Sequence, residues 1–131
     1  LQPESKDLVL TLRNLHNWLA RDTMKATMLE AYDALKSGGY FGVVEHRAPE
    51  GSSMEYMTTS GYVSQSLAIE VAESVGFTLV ETSEINANSK DTKDHPKGVW
   101  TLPPSYRLKD ESRSKYEAMG ESDRMTLLFM K

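Results

Sequence analysis

The sequence predicts an α/β fold with a mostly parallel sheet, because strand-like and helix-like segments alternate along much of the chain. Three short runs rich in strand formers, at 7–12, 40–44 and 77–82, are separated by two segments whose apolar residues recur at helical spacing. Short connections between such elements are typical of parallel strands joined by right-handed crossovers. A last apolar run, 125–130, predicts one more strand.

The first strand and the first helix have readable limits. Residues 7–12 are almost continuously apolar, which predicts a strand that is covered on both faces. Asp22 is the expected cap of the following helix, and Gly38 and Gly39 are expected to end it after Lys36. The apolar face of that helix is expected to contain Met24, Met28, Ala31, Tyr32 and Leu35.

The remainder of the chain is more irregular. Polar, proline and glycine residues over 46–60 predict a loop, and a second helix is expected to start near Ser64 and to close at Gly76. The third strand, 77–82, alternates more, as a strand near a sheet edge does. Residues 84–122 predict a long irregular segment with a helical turn near 110–118. Segments this long are lids, binding loops or disordered regions.

Composition limits the function classes. The 131 residues suit one domain, and the net charge of −4 argues against a nucleic-acid partner. The absence of cysteine excludes disulfides and thiolate chemistry. No apolar run is long enough for a membrane span, and no secretory signal pattern is visible, so localisation stays open.

Polar residues follow each of the first three strands. Ligands of open α/β sheets bind beyond the carboxyl ends of the strands, so these residues are expected to meet at one end of the sheet. They are Arg13, Asn14, His16, Asn17 and Trp18 after the first strand, Glu45, His46 and Arg47 after the second, and Glu84, Asn86 and Asn88 after the third, with Trp100 and Arg107 further along the long segment.

Structural roles are an alternative for many of these residues. Arg13, Glu45 and Arg47 could form ion pairs at strand ends, and His16 could hold a turn as readily as it could act as a base. For both tryptophans, packing in the core or in a lid is favoured over stacking on a substrate. A metal-dependent hydrolase would need a ligand set that no characteristic spacing supports: His16, Glu45, His46 and His95.

Five segments carry a family resemblance. Residues 7–18 end in Arg-Asn-Leu-His-Asn-Trp, residues 34–39 read Ala-Leu-Lys-Ser-Gly-Gly, and residues 43–48 read Val-Val-Glu-His-Arg-Ala. The most distinctive segment is 84–104, which contains Gly-Val-Trp-Thr-Leu-Pro-Pro, and 120–126 continues it. Together they resemble a group of bacterial predicted class I S-adenosylmethionine-dependent methyltransferases. Two departures from that pattern are Ser37, where proline is usual, and Glu45, where aspartate is common.

The resemblance implies the C-terminal half of a Rossmann-like class I methyltransferase fold, with 1–131 as one partial domain. It also implies that the last strand runs antiparallel between the second and third strands. The Gly-x-Gly loop and the acidic residue that hold S-adenosyl-L-methionine in complete enzymes do not occur in this sequence. We therefore expect cofactor binding and catalysis only in a full-length protein, and an inactive isolated chain. A non-catalytic binding module that retains half of the fold is the alternative.

The resemblance also implies roles for the site residues. Asn14, His16 and Asn17 are expected to position or deprotonate the methyl acceptor, whose identity stays open. The segment 86–107 is expected to act as a lid. The acceptor pocket is expected to contain Arg13, Trp18, Glu45, His46, Arg47, Asn86, Asn88, Trp100 and Arg107.

The first strand carries an expectation about partners. Without the first half of the fold, strand 7–12 would be an apolar edge with unpaired backbone groups. We therefore expect a dimer, a strand-swapped assembly or association with the missing N-terminal half.

Overall fold

A computed structural model describes residues 2–131 as one five-stranded sheet with helices packed against it. The strands are β1 (Lys6–Leu12), β2 (Leu35–Ala48), β3 (Val63–Ser64), β4 (Thr78–Ser83) and β5 (Arg124–Met130). The helices are α1 (Leu15–Ala20), α2 (Met24–Ala34), α3 (Met54–Ser60), α4 (Gln65–Ser74) and α5 (Arg113–Met119), with a 3₁₀ turn over Gly98–Thr101. None of the helices in the described part of the chain is long and apolar enough to cross a membrane.

The sheet has the order β1-β2-β5-β4, and β3 adds a short parallel pairing at the end of β2. β1 and β2 are parallel, whereas β5 is antiparallel to both β2 and β4. Three long strands therefore share one direction, and the last strand runs against them between β2 and β4. This confirms the predicted α/β class and the predicted position and direction of the final strand. It also places β4 at an edge, as its alternating pattern predicts.

The hydrophobic core lies between one face of the sheet and the helices α2 and α4. Phe41 of β2 and Phe129 of β5 are fully buried there. Met28 of α2 and Ala68 and Ala72 of α4 pack against them at 0% exposure. The predicted apolar face of the first helix is confirmed, since Met24, Met28, Ala31 and Leu35 are buried and Tyr32 packs against the same cluster.

The opposite face of the sheet is open, which contradicts the prediction that the first strand is covered on both faces. Leu8, Leu10 and Leu12 are 52%, 60% and 54% exposed, whereas Thr11 between them is buried. The prediction from the continuous apolar run was wrong because the core helices cover only one side of β1. The other exposed apolar residues of the strands are Tyr40, Val80 and Met130.

Both predicted limits of the first long helix are wrong. Thr23, not Asp22, precedes α2, and neither supplies a side-chain cap. The helix ends at Ala34, so the two glycines lie inside β2 instead of stopping a helix. Gly38 has a φ of +81°, and a Cβ on Gly39 would lie 3.1 Å from the carbonyl oxygen of Asp7. Gly38 is therefore required by the left-handed backbone at an irregularity of the strand, and Gly39 by the close approach of β1.

The segment 46–60 is not the continuous loop that its composition predicts. β2 extends to Ala48, and α3 follows, with the Ser53 side chain accepting a hydrogen bond from the Tyr56 N–H and Gly61 ending the helix at a φ of +80°. The sequence did not predict the short, polar α3, because seven residues show little apolar periodicity. The short helix α1 was missed for the same reason. The predicted start of α4 at Ser64 is confirmed, since its hydroxyl caps the Leu67 N–H.

Candidate active site

The ends of three strands meet at one end of the sheet. The Arg13 N–H, just after β1, donates to the carbonyl of Val44 at 2.7 Å. His46 of β2 pairs with Arg124 of β5, whose N–H donates to the carbonyl of Asn86 at 3.0 Å. The polar residues that follow β1 and β4 therefore converge with those at the end of β2, as the strand order requires. Because β2 extends to Ala48, three residues that were predicted to follow the second strand instead lie within it: Glu45, His46 and Arg47.

Glu45 is the central group of this region. Its side chain is fully buried, and one carboxylate oxygen accepts the backbone N–H of His16 at 2.7 Å. The other oxygen accepts the backbone N–H of His46 at 2.8 Å. A buried carboxylate needs such donors to replace its lost hydration. Glu45 thereby ties the start of α1 to the end of β2.

The same carboxylate orients the His16 imidazole. His16 Nδ1 lies 3.0 Å from a Glu45 oxygen, and a carboxylate only accepts hydrogen bonds, so Nδ1 carries the ring hydrogen. In the neutral ring the lone pair is then on Nε2. Nε2 has no hydrogen-bond partner among residues 2–131. The arrangement is that of a histidine held by a carboxylate with its second nitrogen available to take a proton.

His46 lies beside His16, with ring centroids 5.4 Å apart. Its Nδ1 is 2.5 Å from the hydroxyl of Ser122, which accepts a hydrogen bond from Nε of Arg124 at 3.1 Å. Burial, followed by the positive charges of Arg124, His16 and Arg13, lowers the pKa of His46 to about 3. His46 is therefore a neutral ring near physiological pH, and Ser122 fixes its orientation.

A cavity of about 350 Å³ opens over these two histidines. Five residues predicted for the site line it: Arg13, Asn14, His16, His46 and Trp100. Sequence analysis missed the other lining residues, which are Leu12, Val99, Pro103, Pro104, Ser105 and Arg124. The prolines and Val99 lie in the distinctive long segment, but nothing in the sequence pairs them with β1.

Other predicted site residues serve to anchor the long segment. Arg47 binds both carboxylate oxygens of Asp123 at 3.0 Å and also contacts Glu84 at 2.9 Å. Although burial alone would raise the pKa of Asp123, hydrogen bonds from Arg47 and Lys93 lower it to about 2. Asn88 donates its backbone N–H to the same carboxylate. The ion-pair alternative therefore describes Arg47.

Four further predicted residues lie outside the cavity lining. Asn17 is exposed on α1, and Trp18 packs against the main core. The Asn86 side chain donates to the hydroxyl of Thr126 at 2.8 Å. Arg107 lies over the Trp100 ring, 5.9 Å from its centroid, and both residues line a second cavity.

A second buried carboxylate, Asp91, holds the middle of the long segment. It accepts the Tyr62 hydroxyl at 2.8 Å, the Asp123 N–H at 2.9 Å and a hydrogen bond from His95 Nε2 at 2.8 Å. Burial and the adjacent Asp91 charge raise the pKa of Tyr62, so its hydroxyl remains a donor. No sequence motif pointed to this network. It anchors the middle of the segment 84–122, and the residues of that segment that line the cavity, Val99, Trp100 and Pro103 to Ser105, follow in the chain.

Comparison with solved structures shows the fold to which this arrangement belongs. The [4+2]-cyclase SpnF matches all of this chain with a TM-score of 0.63 at 14% identity. S-adenosylmethionine-dependent methyltransferases from Archaeoglobus fulgidus and Mesorhizobium loti also match all of it, with TM-scores of 0.57 and 0.52 at 15% and 12% identity. No family model and no curated protein sequence matches.

The chain has a class I methyltransferase fold. It spans only part of the methyltransferase-fold proteins that it matches: 51% of SpnF, 62% of the Archaeoglobus protein and 64% of the Mesorhizobium protein. Within this fold, the candidate site lies at the carboxyl ends of the parallel strands, where α/β sheets bind their ligands.

A metal could in geometric terms be held by His16, Glu45 and His46, whose ligand atoms all lie within 4.8 Å of one another. His95 is bound to Asp91 and is not part of this group, so the structure does not assemble the three-histidine set. Every buried side-chain polar atom of the described residues also has a hydrogen-bond partner. Hydrogen bonds alone therefore account for the arrangement of the cluster.

The depressed pKa of His46 predicts an acid-sensitive fold. Between its ordinary pKa of 6.5 and its folded value of about 3, the unfolded chain binds a proton that the folded chain does not. The free energy of unfolding should therefore fall as the pH drops below about 6.5, with a His46 share approaching roughly 1.4 kcal/mol per pH unit. Urea unfolding of wild type and His46→Gln between about pH 7.5 and 4.5 measures that share. The variant should show the shallower dependence, and equal slopes would contradict the assignment.

Proposed function

We propose that this chain forms the acceptor-binding side of an S-adenosylmethionine-dependent methyltransferase. The observation that supports the proposal most strongly is the Glu45–His16 pair, which presents an unbonded Nε2 at a cavity beyond the strand ends. The fold alone does not specify methyl transfer, since one fold serves many chemistries. The function is therefore argued from the site.

In the proposed reaction His16 acts as the general base. Its Nε2 takes the proton of an acceptor O–H or N–H while Glu45 stabilises the positive charge that develops on the ring. The bound cofactor would supply an electrophilic methyl group on a sulfonium. On transfer the acceptor heteroatom would take the methyl carbon, sulfur would keep the electron pair of the broken carbon–sulfur bond, and His16 would pass its proton to water.

Neighbouring residues would align the acceptor. Asn14 lines the cavity next to His16, and its side-chain NH₂ lies 3.4 Å from the Thr11 hydroxyl. His46 and Trp100 form further walls. Asn17 does not line the cavity, so the proposal rests on Asn14 and His16. Holding reactants in line is the main contribution a protein makes to such a transfer.

Cofactor binding is proposed to need more structure than this chain provides. The glycine-rich loop by which the resembling family holds S-adenosyl-L-methionine is not in this sequence. We therefore propose that residues outside the chain hold the cofactor and that the isolated chain binds it weakly and does not transfer methyl groups.

The open face of the sheet is proposed as the attachment surface for the rest of that fold. Leu8, Leu10 and Leu12 form an exposed apolar strip on the edge strand β1, and a cavity of about 330 Å³ is lined by Leu10, Leu12 and residues of β2, β4 and β5. Exposed apolar faces of this kind mark interaction surfaces. The occupant that fits is an α/β unit offering a parallel strand to β1 and apolar helices to the face.

His16 carries the first prediction of this proposal. In a protein that contains the complete fold, His16→Gln should lower kcat by about 10²–10⁴-fold for an acceptor that must lose a proton, because the base is removed. Methyl transfer from labelled S-adenosyl-L-methionine measures the rate. A matched control is Glu73→Gln on the exposed surface of α4, which should keep the wild-type rate. Unchanged turnover in His16→Gln would remove this residue from the mechanism.

The open face predicts concentration-dependent association of the chain on its own. Leu10→Lys places a charge in the apolar strip and should reduce the self-associated fraction seen by sedimentation velocity. Leu29→Lys makes the same change at a 44% exposed position on α2, away from the strip, and should leave association unchanged. A strictly monomeric wild-type chain at high concentration would contradict the proposed attachment surface.

A further inference from the structure

The charge of the cavity over His16 and His46 differs from that of the whole chain. The chain has a net charge of −4, yet the residues that line this cavity include two arginines and no aspartate or glutamate. Glu45 lies behind the wall at 0% exposure, with its oxygens used by His16 and His46. The cavity is therefore locally positive in a chain whose net charge is negative.

Both arginines keep hydrogen-bonding capacity for a ligand. The Arg13 guanidinium makes no hydrogen bond or ion pair within residues 2–131. Arg13 follows β1 directly, and its backbone has a φ of +62°. Arg124 uses Nε on Ser122 and Nη2 on Glu121, which leaves its Nη1 without a partner in the same range. Guanidinium groups pair well with carboxylate and phosphate oxygens because their N–H groups match that geometry.

The charge of both arginines reaches the floor of the cavity. Arg124 and Arg13 are each among the causes that lower the pKa of His46, after burial. A neutral His46 adds no further positive charge and can accept or donate a hydrogen bond. Both guanidinium charges therefore act at His46, in the same cavity that an anion would enter.

The remaining walls suit a flat apolar body. Trp100 stands edge-on to His16 at a centroid distance of 5.8 Å, and the other apolar residues of the lining are Leu12, Val99, Pro103 and Pro104. Rigid aromatic and proline side chains offer an apolar surface to a planar ring at low entropic cost.

We propose that this cavity takes an anionic aromatic hydroxyl compound, with Arg13 and Arg124 binding its acidic group and His16 facing its hydroxyl. The inference rests on the proposed function only in calling this compound the methyl acceptor. Selection for the anion depends on the two arginines and is measurable without any transfer reaction.

Two isosteric probes separate charge from shape. 4-Hydroxybenzoate carries the carboxylate, and 4-hydroxybenzamide keeps the ring and hydroxyl but is neutral. Each is titrated into the ¹⁵N-labelled chain at neutral pH. We expect shifts confined to residues around His16, His46 and Trp100, and about tenfold tighter binding of the benzoate, which is typical of a hydrogen bond to a charged group.

Arg13→Gln is the decisive variant, because Arg13 is exposed and has no described partner whose loss would unfold the chain. It should weaken benzoate binding by about tenfold and leave benzamide binding unchanged. Arg124→Gln should act in the same direction. The matched control Arg21→Gln removes the same charge from the exposed end of α1 and should change neither probe.

Equal affinity for the two probes, no binding of either at millimolar concentration, or shifts outside the cavity would overturn the proposal. Charge-selective binding together with no methyl transfer in a complete protein would leave the anion site intact and remove the methyltransferase assignment. The two proposals can thus fail separately.

Discussion

The site depends on one buried carboxylate. Glu45 lies at 0% exposure. Removing a carboxylate from water costs more free energy than the net stability of a fold, unless hydrogen-bond donors surround it. The donors are the backbone N–H groups of His16 and His46 and the Nδ1–H of His16. These hydrogen bonds therefore connect β2 to the start of α1 and fix the tautomer of the candidate base.

Two further buried carboxylates hold the wall of the cavity in place. Asp91 and Asp123 gather donors from Tyr62, His95, Arg47 and Lys93, and so hold a segment with few regular elements against the sheet. That segment carries Trp100 and the two prolines of the cavity wall. Without these bonds a chain of this composition would have little reason to stay ordered. The likeness to SpnF, named a [4+2]-cyclase, shows why the argument for function must start from such residues and not from the fold.

Periodicity and strand-end rules predicted the architecture well. The long strands, α4 with its Ser64 cap and the convergence of Asn14, His46 and Asn86 follow from patterns within single elements and from the rule for strand ends. The position of the last strand came from the family resemblance. Single-element patterns could not show that β1 is covered on one face only, because coverage depends on which helices return to it.

The site residues that sequence analysis missed share a different cause. Ser122 and Arg124 reach His46 across the sheet, and Asp91 reaches Tyr62 across 29 positions of the chain. Such pairs leave no local spacing to read. Arg47 was predicted to line the pocket and instead binds Asp123, since an arginine at a strand end looks the same in both roles.

Ring ¹⁵N chemical shifts of His16 test the central claim most directly. At alkaline pH, where imidazoles are neutral, the Glu45 contact requires the hydrogen on Nδ1 and a lone pair on Nε2. The account predicts that tautomer in wild type and its loss in Glu45→Gln, whose amide can donate to Nδ1. A neutral His16 with its hydrogen on Nε2 in the wild-type chain would contradict the account, because the candidate base would then have no lone pair facing the cavity.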